Sequence, residues 1–432
     1  MFGWEFPPYF AGGVGMVCKE LALQLVDQGA TLDYVMPFAP DDLQSNFVNL
    51  VDASRIKIID ASRHATDEQL RNSGIKMTRV KSLLAAYQTP EEYEKTLKEV
   101  SKYSSSTFYP GKEVKRRDPT SKLYGDNLLA EIDMFAHRIA VMVEHGAFKD
   151  SEIIHAHDWT TVPAAIIAKR LLNIPLIVHV HITEVNKNAG LGVNPEVYSV
   201  EREGMMAADK IIAISNTIKD TVMEHYGVPE EKIEVIHNGG VTMSPVMFDG
   251  KDFKGDNKVV SYLGRVTGMK GPLNFVDAAL KVLQHCPNTK FIMAGAGDQL
   301  QSCMDRVKWA GVENKFYFHG FYNRDDADRF FDMSDVFVLP SIMEPFGVTP
   351  LEAMCKETPT IVTKQSGVAE VINHCFKVDF WDIDKMASQI ITLLKYPPLH
   401  KTMKEYGYKE AKATTWEKPA RKCLALYGRM TQ

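Results

Sequence analysis

The feature that most restricts how this chain can fold is a recurrence of short apolar runs that lack polar alternation. In the later half these runs are Val259 to Leu263, Phe291 to Ala294, Phe316 to Phe318, Val336 to Leu339 and Thr360 to Thr363, set between stretches of helical pattern. A strand exposed on one face alternates apolar with polar residues, whereas a parallel strand covered on both faces reads as an unbroken Val, Ile and Phe run. The first half repeats the rhythm in Leu32 to Met36, Ile56 to Ile59, Ile153 to Ala156, Leu176 to Val180, Lys210 to Ile214 and Ile233 to Ile236. Strands alternating with helices predict an α/β fold with doubly wound parallel sheets. At 432 residues the chain is longer than one hydrophobic core normally serves, so two Rossmann-like domains are expected.

The expected division is 1–240 for the first domain, 257–410 for the second, and a closing segment over 411–432. Asn238-Gly239-Gly240 and the polar stretch to Asn257 read as the linker, because a glycine pair and low apolar content break strand and helix alike. Residues 61–125 interrupt the βα rhythm and read as an insertion. Its basic cluster, Lys112, Lys115, Arg116 and Arg117, is first of all a solvated surface, with contact to an acceptor or a phosphate as the functional alternative.

Charge narrows the partners. Lys plus Arg total 50 against 55 Asp plus Glu, a net charge of -5, which gives no general attraction for nucleic acid or acidic membrane. An anion site must therefore be local. The six cysteines form no C-x-x-C pair, which suits a reducing cytoplasm and argues against a disulfide framework or a structural zinc. The start lacks the basic-then-apolar order of a signal peptide, and no apolar run approaches the roughly 18 residues that span a bilayer. A cytoplasmic protein is expected.

Four constellations carry candidate chemistry. Gly12, Gly13 and Gly15 precede the helix-like stretch Met16 to Asp27, where backbone N–H groups can meet phosphate; a tight strand-to-helix turn is an equally good reading. Gly264, Arg265 and Lys270 follow the first strand of the second half, where open α/β sheets bind ligands at the carboxyl ends of strands. A guanidinium fork and a mobile ammonium suit a departing diphosphate, and the alternative is two solvated cations. Glu344 and Glu352 sit eight positions apart around Phe346, Gly347, Val348 and Thr349. With a helix starting near Gly347, Glu352 lies one and a half turns in while Glu344 stays in the loop, so one acid can serve sugar hydroxyls and the other a ribose diol. A loop acid plus a helix-surface acid is the plain alternative.

The last constellation is histidine. His155 and His157 share a face of one strand and His179 and His181 a face of another, so His157 and His181, last on each, are expected to reach a cleft, with His155 and His179 structural. Zinc is the rival reading, set aside because no Cys, Asp or Glu completes a recognisable ligand spacing.

Taken in order, Phe2-Gly-Trp-Glu-Phe-Pro-Pro with Gly12 to Gly15, His155-Ala-His-Asp-Trp159, Ala213-Ile-Ser-Asn216, His237-Asn-Gly239, Gly264-Arg265 with Lys270-Gly271, Gly295-Ala-Gly-Asp298 and Glu344-Pro-Phe-Gly347 with Glu352-Ala resemble the group 1 glycosyltransferases of the GT-B fold. The nearest likeness is to bacterial glycogen-synthase-like members, and it spans almost the whole chain. The resemblance implies two domains facing across a cleft, with Arg265 and Lys270 on the donor diphosphate, Glu352 on the ribose and Glu344 with nearby amides on the transferred sugar. It further implies that His157 meets the sugar from the opposite domain, that backbone near Gly320 and Phe321 meets the base, and that the last helix, after Trp416, crosses back onto the first domain. One departure stands out: such enzymes often carry a lysine before the first glycine pair, where this chain has Tyr9-Phe10-Ala11.

The expected reaction is retaining transfer of a hexosyl group, glucosyl by preference, from ADP- or UDP-sugar to a carbohydrate such as an α-glucan. No cofactor and no metal are expected. Asp382-Ile-Asp384 has the D-x-D spacing of metal-dependent transferases but reads better as the N-cap of the helix that follows. The rival functions are lipid or small-molecule glycosylation, epimerisation or hydrolysis of a nucleotide sugar, and a silent carbohydrate-binding scaffold.

Overall fold

A computed structural model describes residues 1–7, 13–38, 45, 47–55, 128–187, 192–240 and 254–431. Gly12, the tripeptide Tyr9-Phe10-Ala11, the expected strand Ile56 to Ile59, the insertion at 61–125 and linker residues 241–253 lie outside the described residues.

In the first half, β1 (Asp33–Met36) pairs in parallel with β2 (Asn49–Asp52), and β3 (Ile154–His157), β4 (Leu176–Val180), β5 (Lys210–Ala213) and β6 (Ile233–Val235) pair in parallel in chain order. The N-terminal segment joins the two groups. Phe2 bridges both Val35 and Ala156, donating its N–H to the His155 carbonyl at 2.8 Å and accepting from His157 N at 3.1 Å. The strands therefore run β2, β1, the Phe2 segment, then β3 to β6, and the order reverses between Phe2 and β3.

The second half is a six-stranded parallel sheet of β7 (Lys258–Leu263), β8 (Thr289–Ala294), β9 (Phe316–Gly320), β10 (Val336–Leu339), β11 (Thr360–Thr363) and β12 (Phe376–Val378), ordered β12-β11-β10-β7-β8-β9. Here the reversal falls between β7 and β10. Open α/β sheets bind ligands at such a switch point, because loops leaving adjacent strands in opposite directions open a crevice there.

Two strands have no counterpart in the apolar pattern. Strand β2, Asn-Leu-Val-Asp, is partly exposed throughout, and β12 has only three residues. Among the described residues both are edge strands, where burial on two faces is incomplete and the apolar signature fades.

The helices are α1 (Gly13–Asp27), α2 (Leu128–Glu144), α3 (Val162–Leu172), α4 (Glu184–Lys187), α5 (Pro195–Ala207), α6 (Asn216–Tyr226), α7 (Pro272–His285), α8 (Leu300–Trp309), α9 (Arg324–Met333), α10 (Thr349–Cys355), α11 (Ile383–Lys395), α12 (Pro397–Ala413) and α13 (Glu417–Met430). Local chemistry sets their ends. Ser215 caps α6 and Gly227, at φ 69°, closes it. Asp382 caps α11 by accepting from Lys385 N, while Asp384 pairs with Lys281 at 2.5 Å, so the D-x-D pair is engaged in helix start and surface ion pair.

Helix α13 returns to the first half. Gly240 N donates to Thr414 O at 2.7 Å where the two chain segments cross. Trp416, Ala420, Cys423 and Leu426 are buried against Val17, Leu21 and Leu25 of α1 and Ile177, Ile212 and Ile236 of the sheet. The spacing of 420, 423 and 426 lines one helix face, and each buried aliphatic side chain contributes about 1.5–3 kcal/mol.

Candidate active site

In the second half the functional side chains leave the carboxyl ends of adjacent strands. The chain turns out of β7 through Gly264 to an exposed Arg265, whose carbonyl accepts from the Tyr262 hydroxyl at 2.6 Å. A short 3-10 turn, Gly268–Lys270, then brings Lys270 back over the sheet, and Gly271, at φ 61°, starts α7. A Cβ at Gly271 would lie 2.2 Å from the Pro340 carbonyl, so only glycine lets the β7 and β10 loops come this close. Ile342 and Met343 N–H groups donate to Met269 O at 2.9 and 3.3 Å, stitching the loops across the switch point.

The result is a direct pairing. Lys270 Nζ lies 2.5 Å from Glu344 Oε2, to which Ser341 Oγ also donates at 3.2 Å. Glu344 is buried and Lys270 nearly so, hence each charge depends on the other. Gly347 takes φ 91° and cannot belong to a helix, which begins instead at Thr349. Glu352 is therefore the fourth residue of α10, one turn in and not one and a half as the spacing suggested. Its carboxylate accepts from Arg324 Nη1 at 2.5 Å. Burial raises the Glu352 pKa although Arg324 opposes the shift. Phe346 is buried, Val348 and Thr349 are partly exposed, and Gly320 ends β9 at φ 78° with Phe321 standing 83% exposed after it.

From the first half, Gly13 opens α1 and Gly15 is buried within it, so the helix takes in these two glycines and starts before Met16. The histidines form one column. Parallel register places His157 beside His179, and all four rings stand on the same face with centroids 4.4 Å apart for His179 and His181, 4.6 Å for His155 and His157, and 5.1 Å for His157 and His179. His155 bonds to the Tyr427 hydroxyl through Nδ1 and to His179 through Nε2, and His157 Nδ1 lies 2.9 Å from His181 Nε2. The expectation that His157 and His181 reach an open cleft does not match this geometry, since they are 1% and 4% exposed. Strand alternation alone could not show that α1 and α13 cover this face. Burial holds all four imidazoles neutral, and His181 is lowered to about 3.

Three contributors escaped the sequence reading. Asp158, at φ 55° and ψ 174°, sits in strained backbone, and its carboxylate accepts from His181 N at 2.7 Å; burial pushes its pKa up to about 7. Asn186, five residues beyond His181, donates to Met343 Sδ at 3.7 Å, bringing the histidine strand and the Glu344 loop to the same place between the domains. Glu370 receives Asn216 N at 3.0 Å, Asn216 Nδ2 at 2.7 Å and His237 Nε2 at 2.7 Å, tying the second half to the α6 N-terminus of the first. None of these pairings follows from periodicity, because the partners lie 23 to 157 positions apart.

Comparison with known proteins agrees with this architecture. The profile of the glycosyl transferases group 1 matches residues 245–410, and that of glycosyltransferase family 4 matches residues 107–240. An uncharacterised glycosyltransferase of Methanocaldococcus jannaschii is 26% identical over 389 residues, covering 87% of this chain and 82% of that one. Glycogen synthase of Mycobacterium tuberculosis is 22% identical over 382 residues, covering 86% and 79%. Among solved structures, sucrose-phosphate synthase from Thermosynechococcus elongatus superposes with a TM-score of 0.62 at 17% identity over 99% of this chain and 97% of that one. An Anabaena protein in complex with UDP-glucose gives a TM-score of 0.60 at 16% identity over 98% of each chain. With two Rossmann-like domains joined across a shared face, and a glycosyltransferase profile falling on each half, this chain is a sugar-transferring enzyme of the GT-B fold whose second half matches the group 1 glycosyltransferases.

Proposed function

We propose that the chain transfers a hexosyl group, glucosyl in the first instance, from ADP- or UDP-sugar to a carbohydrate hydroxyl with retention of anomeric configuration. The observation that carries this reading is the Lys270–Glu344 pair at the switch point, reached across the domain boundary through Met343 and Asn186. Arg265 and Lys270 take the donor diphosphate, whose charge grows as the bond to the sugar breaks. Lys270 then turns from Glu344 toward phosphate, which frees the Glu344 carboxylate to accept from sugar hydroxyls. Glu352 accepts from the ribose diol, Gly320 and Phe321 flank the base, and the backbone from Phe346 through Gly347 and Val348 to Thr349 lines the sugar. The N-terminus of α1, at Gly13, faces the donor from the first domain. The histidine column stands behind this wall of the site, with His157 bonded to His181 and Asp158 fixing the His181 backbone.

In this reading the bond from the anomeric carbon to the diphosphate breaks as the acceptor oxygen bonds to the same face, and the acceptor proton passes to the departing phosphate oxygen. No protein nucleophile, cofactor or metal takes part in that step. The six unpaired cysteines fit a reducing cytoplasm, and no helix among the described residues is long and apolar enough to cross a membrane.

The test is incubation with ADP-glucose or UDP-glucose, with and without glycogen or maltooligosaccharides, following nucleotide release, chain growth and the product anomer by NMR. Acceptor-dependent release with an α-linked product supports the reading. Equal donor consumption without acceptor makes the protein a nucleotide-sugar hydrolase and overturns it.

A further inference from the structure

We propose that Arg324 is a positioning residue for the donor nucleoside: its guanidinium holds Glu352 Oε1 and so presents Oε2 to the ribose 2′-hydroxyl, which makes the site select ribonucleotides over 2′-deoxyribonucleotides. The inference rests on the reading that Glu352 meets the ribose diol. Arg324 Nη1 donates to Glu352 Oε1 at 2.5 Å, and among the described residues Oε2 has no hydrogen-bond partner. The bond spans 28 positions and ties the start of α9 to the first turn of α10.

Arg324 stands where a helix repels a cation. It is the first residue of α9, whose N-terminus is closed by a capping box: Asp326 N donates to Asn323 Oδ1 at 3.0 Å and Asn323 N to Asp326 Oδ2 at 3.1 Å. The partial positive charge of a helix N-terminus favours acids and opposes a guanidinium. Glu352 supplies the attraction that outweighs this, and its own place in the first turn of α10 suits a carboxylate. Arg324 follows Phe321 by three residues, so this one contact fixes the loop assigned to the base against the acid assigned to the ribose.

Charge gives Arg324 a second task. The Glu352 side chain is 16% exposed, and burial raises its pKa, with Asp328 adding to the rise from one turn further along α9. Asp328 is 1% exposed and neither of its carboxylate oxygens has a hydrogen-bond partner, so no bond draws its charge away from Glu352. Tyr322, in the loop before α9, feels Glu352 and Arg324 in opposite senses, and Cys355 of α10 feels both together with Lys412 of α12. Arg324 lowers the Glu352 pKa through its charge and its hydrogen bond. Without it, burial and Asp328 act unopposed by that cation and Glu352 takes up its proton at higher pH. A carboxyl that donates one hydrogen then replaces a carboxylate that accepts from hydroxyls.

The test is calorimetric binding of ADP, UDP and their 2′-deoxy forms to the full-length protein between about pH 5 and about pH 9. Above neutrality the parent should bind its preferred ribonucleotide roughly tenfold or more tightly than the deoxy form, the scale of one hydrogen bond to a charged group. That ratio should fall as Glu352 protonates, and in Arg324→Met the midpoint of the fall should move up by about one pH unit or more. The diphosphate also titrates, but identically in both ligands, so it cancels from the ratio. Arg324→Lys restores a cation and should return the midpoint toward the parent's. Glu352→Gln should reduce the ratio to about threefold or less at every pH, the scale of a neutral hydrogen bond, and adding Arg324→Met should change it no further. Circular dichroism checks that each variant folds. A midpoint unmoved in Arg324→Met, or a preference lost there at every pH and not rescued by Arg324→Lys, overturns the proposal and leaves the ribose reading standing. A parent without the preference, or a Glu352→Gln protein that keeps it, overturns the ribose reading and the proposal with it.

Discussion

Breaking the Lys270–Glu344 pair from each side, and then from both, separates its structural role from its chemical one. With its side chain 9% exposed the Glu344 carboxylate is held out of water, and Lys270, at 17%, is less completely enclosed. Removing one partner of a buried pair costs about 3–5 kcal/mol, and partial exposure places Lys270→Met near the lower end, at about 3 kcal/mol. Glu344→Gln leaves a lysine whose flexible stem can reach solvent, which reduces the cost to about 2 kcal/mol, the scale of one charged hydrogen bond. In the double variant no orphaned charge remains, so its loss should be about 3 kcal/mol and not the summed 5, a coupling of about 2 kcal/mol. Urea unfolding of the four proteins gives the cycle. Transfer behaves differently, because the leaving diphosphate still lacks its cation: both Lys270→Met proteins should stay roughly 100-fold or more below the parent in kcat. Stability losses that add within about 0.5 kcal/mol, or transfer that recovers in the double variant, would refute the reasoning.

Further tests address other parts of the molecule. Glu352→Gln should raise the donor KM roughly tenfold or more, the scale of one charged hydrogen bond to a diol, with kcat little changed; steady-state kinetics decides, and an unchanged KM removes Glu352 from the ribose. Leu426→Ala, fully buried between α13 and α1, should cost about 2–5 kcal/mol and lower the melting temperature seen by calorimetry. The Glu370 tie should respond to acid. Burial raises the Glu370 pKa, but hydrogen bonds from His237 and the Asn216 and Thr217 amides more than offset it and leave the group below its ordinary value of 4.5. A depressed carboxylate stabilises the folded contact fully above its unfolded pKa and loses that contribution as pH falls through its folded value. The domain contact should therefore hold at pH 7 and loosen below about pH 4.5, seen as an increase in radius of gyration by X-ray scattering. Glu370→Gln should show the looser state already at pH 7.

The strands were readable in the sequence wherever helices cover both faces. β4, β10 and β11 fall on the apolar runs residue for residue, and β7 and β8 within two residues. Such runs arise because burial on two faces removes the need for alternation. Edge strands β2 and β12 left no such trace. The carboxyl-end loops were readable too, because glycine and charge cluster where the chain turns out of a strand: Gly264, Arg265, Lys270 and Glu344 lie on such loops, with Glu352 in the first turn of α10.

Local pattern thus determined the class of fold, the number of sheets and which loops hold charge. Tertiary structure alone decided which charges meet: Lys270 with Glu344, Glu352 with Arg324, Asp158 with the His181 backbone, Glu370 with α6. It also decided that the four histidines stand in one sealed column against Cys18 and Tyr427 and not at an open edge. The reason is physical. Periodicity records which face of an element is buried, but the element that covers the face, and the partner each buried polar atom finds there, depend on sheet order and on where α1 and α13 pack.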